Sequence, residues 1–246
     1  MAGIGKTPLA LQWAHLAAGD YPDGQLYVNL RGFDSTGRVV SPGDALRDML
    51  HTLGALPASL PDTVDARASM YRTLLSTRRM LLVLDNARDT DQVRPLLPGG
   101  GQSLVVITSR NSLAGVVALH GARLVRLDPF TAAEAHEFLA RRVGAARADA
   151  APAAVQRLAR ACTGLPLALA VVAARAVANP SFPLDLLAAE LANTVAPLDL
   201  LAGGQAELDL REVFSWSQRA LRPGRGTDVP HAGRPPRTGD LCRLRR

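Results

Sequence analysis

The chain has 246 residues and 26.0 kDa, is 48% hydrophobic, and carries a formal net charge of +6; this composition excludes a disordered polymer and leaves room for one large domain or two modest ones. No apolar run reaches the roughly eighteen residues of a membrane span, and the chain opens on a glycine-rich loop in place of a signal peptide, so a cytoplasmic protein with no membrane partner is expected. The charge is local: from Arg222 to Arg246 seven arginines face Asp228 and Asp240, the rest is close to neutral, and no direct nucleic-acid binding is expected of this segment.

In chain order, Met1–Thr7 reads MAGIGKT, a glycine-rich loop before a helix over Thr7–Ala18. Leu9, Leu11, Trp13 and Leu16 among alanines mark that helix as buried, and Tyr-Pro-Asp-Gly breaks it. QLYVNL (Gln25–Leu30) reads as a short strand, and Ser41 or Asp44 can cap a helix through Leu46, Met49, Leu50 and Leu53. Asp65–Thr77 is a further amphipathic helix. RMLLVLD (Arg79–Asp85) is a continuous apolar run ending in an acid, as expected of a strand buried on both faces. A short helix at Asp89–Leu97, a second buried strand at LVVIT (Leu104–Thr108) and a third strand at Arg123–Leu127 complete an alternating pattern. Such alternation predicts an α/β fold with a parallel sheet covered on both sides.

Past Phe130 the period is helical: Thr131–Val143, Ala151–Thr163, Pro166–Ala178 and Leu184–Asn193 predict an all-helical second domain. Asp209–Leu221 (DLREVFSWSQRAL) reads as one more amphipathic helix, after which Arg, Pro and Gly take over. Cys162 and Cys242 have no partners at metal-ligand spacing and read as plain thiols.

GIGKT is the phosphate-loop motif with its first glycine one position before Met1. Close approach of backbone N–H groups to a polyphosphate calls for Gly3 and Gly5 flanking Ile4, Lys6 adds a point charge, and the Thr7 hydroxyl reaches a magnesium ion. Lys6 is the chain's only lysine beside 27 arginines. Asp85, at a strand end, suits the acid that holds the metal's water shell.

With these two motifs, LLVLDNA (Leu81–Ala87), LVVITSR (Leu104–Arg110), LDPFTAAEA (Leu127–Ala135) and GLPLALA (Gly164–Ala170) make the chain resemble the NB-ARC module of the signal-transducing STAND ATPases. It is most similar to versions in actinobacterial transcriptional regulators of the antibiotic-regulatory type. The resemblance implies a P-loop NTPase sheet lacking its first central strand (residues 1–130), a helical domain with the GLPL motif (131–196) and the start of a winged-helix region (197–221); beyond it, the lost periodicity and the Arg-, Pro- and Gly-rich composition indicate a basic, disordered, off-pattern tail (222–246). It further implies ADP or ATP with Mg²⁺ as ligand, Arg110 at the γ-phosphate, Pro166 at the nucleotide, Thr7 and Asp85 at the metal, and a regulatory switch whose effector domain or self-association lies beyond this segment.

Three departures bear on activity. The strand before the loop is missing; Pro8 lacks an N–H that many such loops offer the α-phosphate; and Asn86 stands where readily hydrolysing relatives place a second acid, so at most a weak ATPase is expected, with no catalytic residue assigned. Two other readings stay open: an inactive truncated remnant, and a P-loop enzyme of another class, a GTPase or kinase, although no Asn-Lys-x-Asp motif is present. If the tail is out-of-frame translation, sequencing of the locus should find an intact winged helix in another frame; a clean stop without one removes that reading.

Overall fold

The structure is a computed structural model that describes residues 1–34, 37–193 and 242–243. Its described residues fall into two units, one built from Lys6–Val125 with Cys242–Arg243, the other from Met1–Gly5 with Arg126–Asn193.

The sheet unit begins with helix α1 (Lys6–Leu16), strand β1 (Gln25–Asn29) and helices α2 (Pro42–Thr52) and α3 (Val64–Leu75). Strand β2 (Leu81–Ala87), the one-turn helix α4 (Thr90–Val93), strand β3 (Leu104–Ser109) and helix α5 (Ala114–His120) follow. The order β3-β2-β1 is parallel, with Leu26 beside Leu82 and Leu82 beside Val105. β2 lies in the middle because its sequence tolerates burial on both faces, and every side chain from Leu81 to Asp85 is buried.

Alternation along the strands sorts residues between two layers. Leu26, Val28, Leu82 and Leu84 join Leu46, Met49, Leu50 and Leu75 on the side of α2 and α3. Leu81 and Val83 turn the other way, toward Ala10 and Ala14 of α1, with Tyr27 and Val106 alongside. Both covering helices are capped: of the two candidates Ser41 does so, its Oγ accepting from the Asp44 amide ahead of Pro42, and Thr63 Oγ1 accepts from the Ala66 amide. Gln92, buried in α4, donates to the carbonyls of Leu30 and Val40 and ties the loop after β1 to the unit.

The sequence reading needs correcting in several places. α1 is a helix, yet Leu9, Trp13 and Leu16 are 52%, 40% and 76% exposed, and the buried face is Ala10 and Ala14. Small side chains let the helix axis approach the sheet, and the large residues fall outside that contact. Arg123–Leu127 forms no strand, because it finds no ladder partner among the described residues; Leu124 and Val125 stay exposed. The helix expected over Asp89–Leu97 is one α-turn followed by a 3-10 turn at Arg94–Leu96, where Pro95 cannot donate. The strand β4 (Cys242–Arg243) was unforeseen and pairs antiparallel with β1. The Asp209–Leu221 helix lies outside the described residues.

The helical unit holds α6 (Ala132–Val143), α7 (Ala145–Asp149), α8 (Pro152–Ala161), α9 (Pro166–Ala178) and α10 (Leu184–Asn193). Thr131 and Glu134 form a reciprocal capping box at α6. Arg147 donates to the carbonyls of Ala176, Asn179 and Phe182 and so closes the end of α9. Leu139, Leu158, Leu169, Val172 and Leu187 form the core. Gly164 (φ +69°) is confined to glycine, since a Cβ there would lie 2.2 Å from the Phe130 carbonyl oxygen. The Phe130 amide donates to the Gly164 carbonyl at 2.8 Å and ties the Leu127–Ala135 segment to the Gly-Leu-Pro-Leu turn. Cys162 is buried, which pushes its thiol up to about 12 and makes it inert.

Tyr71 is fully buried, and its hydroxyl has no partner among the described residues. Because that hydroxyl is desolvated without compensation, Tyr71→Phe should stabilise the chain by about 1 kcal/mol in urea denaturation. A destabilised variant would show that the hydroxyl has a partner in solution.

Candidate phosphate and metal site

The glycine-rich loop approaches its form from the helical unit. Gly3 and Gly5 take φ of +70° and +90°, the left-handed region that glycine supplies without strain. The Gly3 carbonyl accepts from the Leu167 amide at 3.2 Å, which is one of the orphan donors in the first turn of α9. Leu165, the residue before that helix, offers no side-chain cap, and Pro166 at its first position has no N–H to satisfy. The loop carbonyl does the capping instead. Ile4 is anchored by its side chain in the helical core. Among the described residues the amides of Gly3, Ile4 and Gly5 donate no hydrogen bond.

In the sheet unit α1 starts at Lys6, and Thr7 in its first turn donates from Oγ1 to Asp85 Oδ1 at 2.7 Å across 78 residues of sequence. Asp85 is 4% exposed. Strand alternation gives its direction, since Leu81, Val83 and Asp85 share the α1 side, and a bulge follows it: Leu84 pairs with Ile107 but Ala87 pairs with Ser109, so Asp85 and Asn86 together oppose Thr108. Asn86 takes a left-handed φ of +57° within it. The Thr108 hydroxyl accepts from the Asn86 amide at 3.0 Å and donates to Asp85 Oδ1 at 2.6 Å. Tyr27 of β1 donates its phenol to Asp85 Oδ2 at 3.0 Å. Three hydroxyls from α1, β1 and β3 thus satisfy one buried carboxylate.

Cations flank this cluster. Burial and the nearby Arg110 guanidinium lower the Lys6 pKa from its ordinary 10.5, with Asp85 opposing them. Arg110 is exposed, and its guanidinium carbon stands 5.0 Å from the centre of the Phe33 ring, a cation–π contact that gives a long side chain a preferred place. Tyr27 is pushed well above the usual phenol range by burial, by the Asp85 charge and by its hydrogen bond to that carboxylate, so it stays a donor at any working pH.

Among the described residues no group of three or more His, Cys, Asp or Glu could hold a metal unaided. The Thr7 hydroxyl and Asp85 carboxylate are nevertheless hard oxygen donors already in contact, which fits Mg²⁺, an ion that takes one or two protein oxygens and completes its shell with water and phosphate oxygens.

Of the residues singled out from sequence, the sheet unit joins Thr7 and Asp85 directly and brings Lys6 and Arg110 into electrostatic reach of each other. Gly3, Ile4, Gly5 and Pro166 belong to the helical unit. Tyr27, Thr108 and Phe33 were missed. Strand alternation could have found Tyr27, two residues before Asn29, the register partner of Asp85. Thr108 was quoted within the LVVITSR motif but given no role. A groove of about 740 Å³ lined by Phe130, His136, Gln156 and Arg160 lies within the helical unit and includes none of the predicted site residues.

No protein-family model matches the chain. Over 223 residues, 91% of its length, it is 40% identical to the regulatory protein AfsR of Streptomyces griseus, of which it covers 22%. Over 191 residues, 78% of its length, it is 41% identical to the regulatory protein AfsR of Streptomyces coelicolor, of which it covers 19%. The chain is therefore homologous to part of these regulatory proteins and spans about a fifth of their length.

The Thr108 hydroxyl serves two partners at once. Thr108→Val keeps the shape, strands the Asn86 amide and removes one donor from a buried carboxylate, so it should lower stability by about 1–3 kcal/mol in urea denaturation. An unchanged midpoint would mean that water replaces the hydroxyl without loss.

Proposed function

We propose that this chain is the ADP- or ATP-binding part of a regulatory switch of the NB-ARC type. The observation that carries the reading is the 2.7 Å contact between Thr7, in the first turn after the glycine-rich loop, and the buried strand-end acid Asp85. A phosphate-loop threonine and a metal-site acid must meet if they are to share a magnesium ion, and nothing about an ordinary strand-to-helix turn demands that they do. The left-handed Gly3 and Gly5 support it, since their amides are available to an anion. Homology to proteins named as regulators supports a signalling role over a metabolic one.

In this reading the amides of Gly3, Ile4 and Gly5 cradle phosphate, Lys6 neutralises it, Thr7 and Asp85 hold Mg²⁺, Arg110 senses the γ-phosphate and Pro166 contacts the nucleotide. The metal supplies charge neutralisation at the phosphates. Asn86 offers an amide where a water-activating carboxylate would serve hydrolysis, so nucleotide exchange, and not turnover, sets the state. A ligand shifts such a switch only through different affinities for its two states.

Thermal shift and calorimetry with ADP, ATP and GTP, each with Mg²⁺, test the proposal on the folded chain. Adenine-selective binding is expected, with stabilisation of about 2.7 kcal/mol at a hundredfold excess over Kd. Lys6→Ala should weaken binding at least tenfold. Preference for GTP would indicate a P-loop enzyme of another class, and a folded chain that binds no nucleotide would indicate an inactive remnant. Because protonated Lys6 is the binding form and its pKa is lowered in the free protein, affinity should be full at low pH and decline at a lower pH than an ordinary lysine would give. In Lys6→Arg that decline should vanish.

A further inference from the structure

We infer that Tyr27 is a positioning residue for the metal-binding carboxylate, holding Asp85 Oδ2 so that Oδ1 stays aimed at the ion that Thr7 shares with it. The inference rests on the nucleotide reading above and adds to it a residue that no motif contains.

The two oxygens of Asp85 are used unequally. Oδ1 accepts from both Thr7 and Thr108, while Tyr27 is the partner of Oδ2. The last torsion of an aspartate is broad and roughly two-fold, so donors on one oxygen alone leave the carboxylate plane poorly fixed. A donor on the second oxygen removes that freedom. Tyr27 suits the task because it comes from a different strand than Thr108, in a parallel register that pairs it with Val83 and places Asn29 beside Asp85. Its ring packs against the small layer of Ala10, Ala14, Leu81 and Val83, which fixes where its hydroxyl can be.

A Thr7 hydroxyl that offered a lone pair to Mg²⁺ would keep its proton for Asp85, because lone pair and O–H are distinct. Thr7 and Thr108 would both still act on Oδ1, which leaves Tyr27 as the donor that fixes Oδ2. Thr108 also serves the Asn86 amide and therefore belongs to the bulge as well as the site. Among the described residues the Tyr27 hydroxyl bonds to the carboxylate alone. Partners that orient a metal ligand from behind typically contribute ten- to hundredfold to metal affinity.

The test is Tyr27→Phe in the whole chain, with ADP affinity measured by calorimetry in EDTA and across a Mg²⁺ titration. The expected result is ADP affinity in EDTA within about twofold of wild type, and a Mg²⁺ concentration for half-maximal tightening raised by about tenfold. Replacing Tyr27 by 3-fluorotyrosine, which keeps both shape and donor, should restore the wild-type titration. In an Asp85→Asn background Tyr27→Phe should change the Mg²⁺ response no further. Equal losses with and without Mg²⁺ would reduce Tyr27 to a structural role and overturn the inference, as would an unchanged titration. Wild-type chain that binds no ADP in either condition would bring down the nucleotide reading itself, an outcome distinct from the other two. Should the phenylalanine variant fail to fold, the 3-fluorotyrosine protein decides: a titration tracking wild type sustains the role, and one shifted although the donor is kept overturns it.

Discussion

A carboxylate buried to 4% exposure is costly unless its oxygens are met by donors, and the sheet unit is organised around meeting those of Asp85. The three donors come from three separate elements: Thr7 from α1, Tyr27 from β1 and Thr108 from β3. The Tyr27 and Thr108 contacts depend on the parallel register of the sheet, and the Thr7 contact depends in addition on α1 lying across it. Alternation along β2 puts Asp85 on the α1 side with Leu81 and Val83, and the bulge after it brings the Asn86 amide to the Thr108 hydroxyl. The same end of the strands is where ligands gather in open α/β sheets, because loops there are free of the ladder and can vary.

The α1 contact shows how the sequence reaches that geometry. Ala10 and Ala14 are the helix face that meets Leu81 and Val83, and their small size allows the first turn to bring Thr7 within 2.7 Å of Asp85. A larger residue at Ala14, which is fully buried, would push the helix away from the sheet and stretch that hydrogen bond first. Packing of alanines at one end of α1 thus governs chemistry at the other.

Much of the fold was legible because continuous apolar runs and capping residues are local signals. LLVLD reads as an interior strand and is one, whereas LVVIT, expected to be buried, is the edge strand β3 and only half-buried; Ser41 marks its helix, and Pro166–Ala178 and Leu184–Asn193 have the bounds that the sequence indicates. Long-range pairing was less legible. Arg123–Leu127 has a strand's composition but lacks a neighbour, and no local pattern reports a neighbour's absence. Leu9, Trp13 and Leu16 have a buried helix's composition, but which face packs is decided by how close the helix must come. At the candidate site, Thr7 and Asp85, which the structure brings into contact, were singled out from motif chemistry, whereas Tyr27 and Thr108 are hydroxyls inside strands that carry meaning only once the register and the bulge are known.

Electrostatics give the proposed site its sign. Lys6 and Arg110 lie close enough that the guanidinium lowers the lysine's pKa, so the two cations repel each other, and the nearest carboxylate relieves this incompletely because it is buried and already engaged by three hydroxyls. An arrangement that holds two like charges together at a cost in the free protein is stabilised when an anion arrives between them. A polyphosphate does this with several negative oxygens at once, whereas a single carboxylate ligand would neutralise one cation and leave the other unmet. Arg110 has a contact that draws nothing from Asp85, since its guanidinium carbon lies 5.0 Å from the centre of the Phe33 ring. For the polyphosphate ligand proposed above, Phe33 would act only through the placing of this second cation, without touching the anion.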